Sequence, residues 1–175
     1  MCGIAGIVNL RGNPVEPAEI SRLTSLIAHR GPFGEGTWFN AKRNVAFGHR
    51  RLAIIDPGEG GYQPMVSGDG RHVIVYNGEI YNFLELRREL EAKGAVFRSQ
   101  SDTEVILAAW QAWGEDMLLR FNGMWALAIY DTATDELFLA RDRFGIKPML
   151  YALSSERFVF ASEQRALARS GLLET

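Results

Sequence analysis

The chain has 175 residues, 47 % of them hydrophobic and 23 % charged, with a formal net charge of −2 and a single cysteine, as expected for one ordinary globular domain. The small net charge gives no electrostatic reason to expect nucleic acid or an anionic membrane as partner, and no apolar stretch is long enough to span a bilayer. One cysteine excludes an internal disulfide and a cysteine-based zinc site, and without a basic-then-apolar leader pattern the expected compartment is the cytoplasm.

In chain order, "IAGIV" reads as a strand and "PAEISRLTSLIA" as a helix with Ile20, Leu23 and Ile27 at helical spacing. The runs "VAFGHRRLAII" and "HVIVYN" have strand character. In "NFLELRRELEAKG", Phe83, Leu86 and Leu90 make a helical stripe, with Asn82 as N-cap, Glu85 behind it and Gly94 as the stop. "SDTEVILAAWQAWG" predicts a helix whose stripe is Ile106, Ala109, Trp110 and Trp113, opened by a Ser101–Glu104 capping box. "MWALAIY" is apolar at every position, as in a strand covered on both faces. "IYDTATDELFL" predicts a hairpin leading into "ELFLARD". "RFVFAS" is a last strand, and a short helix follows from about Glu163 in "SEQRALAR". Helices and strands do not alternate regularly, which disfavours a doubly wound parallel sheet. The expectation is an α+β fold with antiparallel sheets inside and helices outside. There is no internal repeat, and the closing "ARSGLLET" reads as a helix fraying into a linker.

Cys2 stands directly behind the initiator methionine in "MCGIAGIV". If Met1 is removed, one residue carries both a thiol and a free α-amine, with ordinary pKa values of ~8.5 and ~8. The amine can then take the thiol's proton, so nucleophile and base need no further residue. The alternative is a small hydrophobe buried in the first strand. A nucleophile attacking a carbonyl also needs donors aimed at the developing oxyanion. Asn77 and Gly78 in "VIVYNGEIYN" can supply a side-chain amide and a close backbone N–H; the same Asn-Gly pair is also a strong hairpin-turn signal. Arg50 and Arg51 in "HRRLAIID" offer forks for a carboxylate or a solvated strand edge. Asp102 in "SQSDTEV" is either a ligand for a cation or a helix-dipole partner.

Taken together, the chain resembles the glutamine amidotransferase domain of the asparagine-synthetase type, a class II amidotransferase among the N-terminal-nucleophile hydrolases. The resemblance rests on "MCGIAGIV", "HRGP", "HRRLAIID", "NGEIYN", "SDTEV", "GMWALAIYD", "RDRFGIKP" and "FASEQRAL", which follow the family's order along essentially the whole chain. It implies a four-layer αββα sandwich of two mainly antiparallel sheets between helical layers. It also implies Cys2 as nucleophile with its α-amine as base, and Asn77 with Gly78 as the oxyanion hole. Arg51 would hold the α-carboxylate of glutamine, and Asp102, helped by Glu79, its α-ammonium group. Backbone groups of Leu52, Ala53, Ile54 and Ile55 would line the substrate slot. Two departures stand out. Phe33 replaces the acid that usually follows "HRGP", in a loop whose Gly31, Gly34 and Gly36 suggest a mobile lid. And residues 1–175 would be a glutaminase domain without the C-terminal synthetase domain that its relatives carry.

The expected reaction is hydrolysis of L-glutamine to L-glutamate and ammonia through a γ-glutamyl thioester on Cys2. The ammonia would feed an amide-forming ligase, most simply for asparagine biosynthesis from aspartate. The glutaminase step would need no cofactor or metal; ATP and Mg would belong to the synthetase domain. Partners would be L-glutamine and that domain, with a homodimer left open and neither nucleic acid nor membrane involved. Two rival readings are an N-terminal-nucleophile hydrolase of some other amide and a degenerate, non-catalytic module of the same fold. The Arg51 and Asp102 pair argues against the first, because another acyl substrate would leave both charges without partners. The intact Cys2, Asn77 and Gly78 argue against the second.

Overall fold

The computed structural model describes residues 1–52 and 58–173. The first half of the chain forms β1 (Gly3–Asn9), α1 (Pro17–Ser25), β2 (Glu35–Phe39), β3 (Val45–Arg50), β4 (Met65–Val66) and β5 (His72–Ile80). There follow α2 (Phe83–Ala92), α3 (Asp102–Trp113), α4 (Met117–Arg120), β6 (Gly123–Asp131), β7 (Glu136–Arg141), β8 (Leu150–Leu153), β9 (Arg157–Ala161) and α5 (Gln164–Arg169). The strands make a five-stranded sheet in the order β2-β3-β1-β9-β8 and a four-stranded sheet in the order β4-β5-β6-β7, and every paired strand runs antiparallel to its neighbour.

Strand alternation sorts the buried side chains into layers. Ile4 of β1, Phe47 of β3, Val73 and Val75 of β5, Ala128 of β6 and Phe160 of β9 pack together between the two sheets. The opposite faces of the first sheet, through Ala5, Ile7 and Ala46, pack on Ile20 and Leu23 of α1 and on Ala166 and Leu167 of α5. The outer face of the second sheet, through Ile74, Leu127 and Ile129, packs on Leu86 and Leu90 of α2 and on Val105, Ile106 and Ala109 of α3. The result is the expected sandwich of two sheets between helical layers. β6, apolar from Met124 to Tyr130, is covered on both faces because it feeds both cores.

The structure excludes one alternative and corrects several readings, beginning with the first helix, which stops at Ser25 before Ile27. Asn77-Gly78 is no hairpin turn: both residues lie inside β5, paired with Ala126 and Trp125 of β6. A Cβ on Gly78 would sit 2.3 Å from the Met124 carbonyl oxygen, so the glycine serves close strand packing instead of a turn. Gly36 belongs to no loop either; it lies in β2 opposite His49, where a Cβ would meet the Gln63 carbonyl oxygen at 2.0 Å. Asn82 occupies the N-cap position of α2, but its side chain does not cap. It instead ties the segment to Arg120 and Asn122, accepting from the Asn122 N–H at 2.9 Å. At α3 the Ser101 hydroxyl accepts from the Thr103 N–H, while Glu104 reaches back past the cap to the Arg98 and Ser99 N–H groups. The box is therefore half made. Gly94, as expected, ends α2 at φ +95°.

Three strands carried no sequence signal: β2, the two-residue β4, and β8. The expected continuation of β3 through Ala53, Ile54 and Ile55 lies outside the described residues.

Candidate active site

The ends of β1, β3 and β5 meet at one open end of the intersheet layer. Cys2 shares the face of Ile4, His49 that of Phe47, and Asn77 that of Val75, and all three line one cavity. Arg51, Leu52, Gly78, Glu79 and Asp102 line it too. The structure therefore gathers Cys2, Arg51, Leu52, Asn77, Gly78, Glu79 and Asp102 in one place, from positions up to 100 apart, but not Arg50 or Phe33. Ala53, Ile54 and Ile55 lie outside the described residues. Arg50 and Arg51 part company, as strand neighbours must. Arg50 turns away to Glu35 at 2.6 Å, while Arg51 is buried by the cavity, with Nη2 donating to the Gly58 carbonyl at 2.8 Å and the guanidinium 4.4 Å from the Tyr62 ring centroid.

The Cys2 sulfur is seated on the Leu52 backbone. The Leu52 N–H donates to Sγ at 3.3 Å, and Sγ lies 3.6 Å from the Leu52 carbonyl oxygen. Burial pushes the thiol pKa up, against opposing pulls from the Leu52 hydrogen bond, the chain's N-terminal charge and Arg51. The resting group is thus a protonated thiol that needs a base.

Asn77 is 1 % exposed, and among the described residues its Nδ2 donor has no partner. A buried unsatisfied amide is rare and costly, and Asn77 lines the cavity that holds the thiol. The neighbouring backbone points the same way. Successive N–H groups of a strand face opposite edges. The Tyr76 N–H bonds Gln63 Oε1 at 2.6 Å and the Ile80 N–H bonds Asp102 Oδ2 at 3.2 Å, both on the edge away from β6. The Gly78 N–H lies between them on that same edge. β4 is too short to cover it, since it pairs only with Val73 and Ile74. A side-chain donor and a backbone donor are thereby offered to one cavity.

Asp102 opens α3 and is buried, accepting from the Tyr76 hydroxyl at 2.9 Å as well as from Ile80. Burial raises its pKa above the ordinary carboxylate value despite these bonds, and the nearby Glu79 charge adds to the rise. This is more than a helix-dipole partner. The carboxylate sits on the cavity wall where a cation would relieve both effects.

Phe33 is 67 % exposed and contributes no side chain to the cavity. Its loop is held by backbone: the Phe33 N–H donates to the Arg51 carbonyl at 3.2 Å, and the Arg51 N–H to the Gly34 carbonyl at 2.9 Å. A Cβ on Gly31 would fall 2.3 Å from the Arg50 carbonyl carbon. The exchange of an acid for Phe33 leaves these contacts untouched, because none uses the side chain.

Sequence reasoning missed His49, Tyr76, Gln63 and Lys147, which also line the cavity, and Arg30, whose Nε donates to the Cys2 carbonyl at 2.9 Å. Arg30 and His49 lay inside the matched motifs, but a single chain does not tell a wall residue from a neighbour. Burial, the larger effect, drives the His49 pKa from 6.5 to about 3, against the hydrogen bond it makes to the Tyr76 backbone. The unfolded chain therefore binds this proton more readily than the folded one. Stability is full above pH 6.5 and falls as the pH drops toward 3, at up to about 1.4 kcal/mol per pH unit. His49→Gln should flatten the fall in melting temperature between pH 6 and pH 4.5, within that window. An unchanged slope would show that another group carries the acid sensitivity.

Comparison with known proteins places the chain in a family. The family model described as "Glutamine amidotransferase domain" matches residues 1–175. Asparagine synthetase [glutamine-hydrolyzing] 3 of Bacillus subtilis is 42 % identical over 171 residues, covering 95 % of this chain and 27 % of that protein. Asparagine synthetase [glutamine-hydrolyzing] 1 of the same organism is 42 % identical over 170 residues, covering 95 % and 26 %. The chain thus spans about a quarter of the length of these curated relatives, 27 % and 26 %. The solved structure of glutamine phosphoribosylpyrophosphate amidotransferase from B. subtilis superposes with a TM-score of 0.83 at 24 % identity, over 97 % of this chain and 44 % of that one. Such a likeness speaks for the fold. With the family model and both synthetases matched along nearly its whole length, the chain belongs to the glutamine amidotransferase domain family.

Proposed function

We propose that the domain hydrolyses L-glutamine to L-glutamate and ammonia through a thioester on Cys2. The observation that carries the reading is the buried Asn77 amide, unpartnered among the described residues, beside the edge N–H of Gly78 in the cavity that holds the thiol. Met1 is 55 % exposed, so its removal is sterically open and leaves the Cys2 α-amine as base. The amine takes the thiol proton and sulfur attacks the side-chain carbonyl. Asn77 Nδ2 and the Gly78 N–H stabilise the oxyanion. Collapse breaks the C–N bond, and the ammonium formed on Cys2 returns its proton to the departing nitrogen, releasing ammonia. Water then attacks the thioester with the amine accepting its proton. Glutamate leaves, and the proton restores the thiol.

Arg51 binds the substrate α-carboxylate and Asp102, with Glu79, its α-ammonium group; Leu52 lines the same cavity. Among the described residues no cation forms an ion pair with the buried Asp102, and an ammonium would supply its countercharge. A zwitterion anchored at its far end presents its amide to Cys2, which favours glutamine over other amides. Because Asp102 also holds Tyr76 and Ile80, the informative variant is Asp102→Asn, which keeps an acceptor. Arg51→Ala and Asp102→Asn should each raise the KM for glutamine about ten- to hundredfold, the equivalent of roughly 1.5–3 kcal/mol per charge-assisted contact. Lys93→Ala, on the exposed end of α2, should change it little. Unchanged KM in both site variants would favour a hydrolase of some other amide.

In the asparagine synthetases, the matched segment is part of a longer protein. We further propose that ammonia made here serves an ATP- and magnesium-using, amide-forming segment, with aspartate as the simplest acceptor, in the cytoplasm. The glutaminase step itself uses no cofactor. Among the described residues no helix is long and apolar enough to cross a membrane.

A further inference from the structure

Cys2 lies just outside the strand ladder, which begins at the Gly3–Arg50 pair. Its backbone is held by a side chain: Arg30 Nε donates to the Cys2 carbonyl at 2.9 Å. Gly3 makes room for this contact, since a Cβ there would sit 2.9 Å from Ile27 Cδ1 and 3.4 Å from Arg30 Cδ. The Arg30 side chain is only 8 % exposed, and its Nη1 donates to Glu163 Oε1 at 3.0 Å. The same oxygen faces His29 Nε2 at 2.9 Å. Although burial opposes it, these bonds hold the Glu163 carboxyl below its ordinary pKa, so it is an anion. The residue before it tightens the same seam: the Ser162 N–H donates to the Ile4 carbonyl at 2.9 Å, and the Ile4 N–H to Ser162 Oγ at 2.9 Å. The junction of β9 and α5, some 160 residues downstream, thus grips the start of β1 at two successive positions.

We propose that Glu163 is a positioning residue for the nucleophile: its carboxylate fixes the Arg30 guanidinium, which holds the Cys2 carbonyl and so aims the Cys2 thiol and α-amine at the Asn77–Gly78 edge. Its effect on turnover rests on the glutaminase reading above. A nearly buried guanidinium needs its counterion. Without the carboxylate, Arg30 swings toward water and Cys2 loses its backbone anchor. Misplacing a reacting atom by about 1 Å can cost on the order of a hundredfold in rate, whereas Arg51 and Asp102 bind substrate from other elements.

The test compares Glu163→Ala, Glu163→Gln, Arg30→Ala and the Glu163→Ala/Arg30→Ala double variant, all confirmed folded by circular dichroism. Glu163→Ala should lower kcat about ten- to hundredfold with KM within about threefold. Glu163→Gln, which keeps an oxygen for Arg30, should fall between it and the parent, and the double variant should be no worse than Arg30→Ala alone. A kcat within twofold of the parent, a KM change that matches the loss, or additive losses in the double variant would each overturn the proposal. Alkylation of Cys2 by iodoacetamide, read by intact mass, adds a readout independent of glutamine because the chain has one cysteine. In Glu163→Ala its pH profile should move downward as the sulfur leaves its buried seat. If the parent shows no glutaminase activity, the functional reading fails, and this profile alone decides the positioning: a shift upholds it and an unchanged profile overturns it.

Discussion

Cys2→Ala is expected to abolish glutamine hydrolysis and leave the melting temperature within a few degrees of the parent. The sulfur touches the Leu52 backbone at the cavity rim and belongs to none of the three apolar clusters. Its removal therefore opens no core cavity of the kind that costs several kcal/mol. No other thiol exists in the chain to substitute for it. A folded Cys2→Ala protein that still releases ammonia from glutamine at the parent's rate would refute the thioester route and, with it, the functional reading.

Loss of the Asn77 amide should be the next largest effect. Removing one oxyanion donor typically costs about 10²–10³ in turnover. Asn77→Ala isolates that loss, since alanine is tolerated in a strand and the Gly78 N–H remains. Asn77→Asp should be at least as severe, because it sets a carboxylate against the forming oxyanion. It should also lower stability, because the site is 1 % exposed and a buried unpaired charge is costly. Both variants should spare glutamine affinity, which the proposed reading assigns to Arg51 and Asp102. Turnover within a few-fold of the parent in folded Asn77→Ala would mean that this amide faces no developing charge.

The two rival readings predict different outcomes from the same variants. A hydrolase of another amide keeps the dependence on Cys2 and Asn77 but not on Arg51 and Asp102. A non-catalytic module keeps neither.

The sequence by itself determined the layered α+β plan and singled out the candidate reacting groups. Helical stripes such as Phe83–Leu86–Leu90 and the wholly apolar "MWALAIY" report burial directly, because periodicity is set by the backbone. A lone cysteine after Met1 and the ordered motifs point to chemistry without any geometry. The tertiary structure alone decided what those residues face. "NG" reads as a turn in isolation, since the local signal cannot register that β6 approaches within 2.3 Å of a Cβ at Gly78. Nor can it show that β4 stops short, which is what frees the Gly78 N–H. Arg50 and Arg51 are indistinguishable as letters, yet strand alternation sends one to Glu35 and the other to the cavity. His49, Arg30 and Glu163 acquire meaning only across sheets and termini. Burial and long-range pairing are properties of the assembled layers, and no window of the sequence contains them.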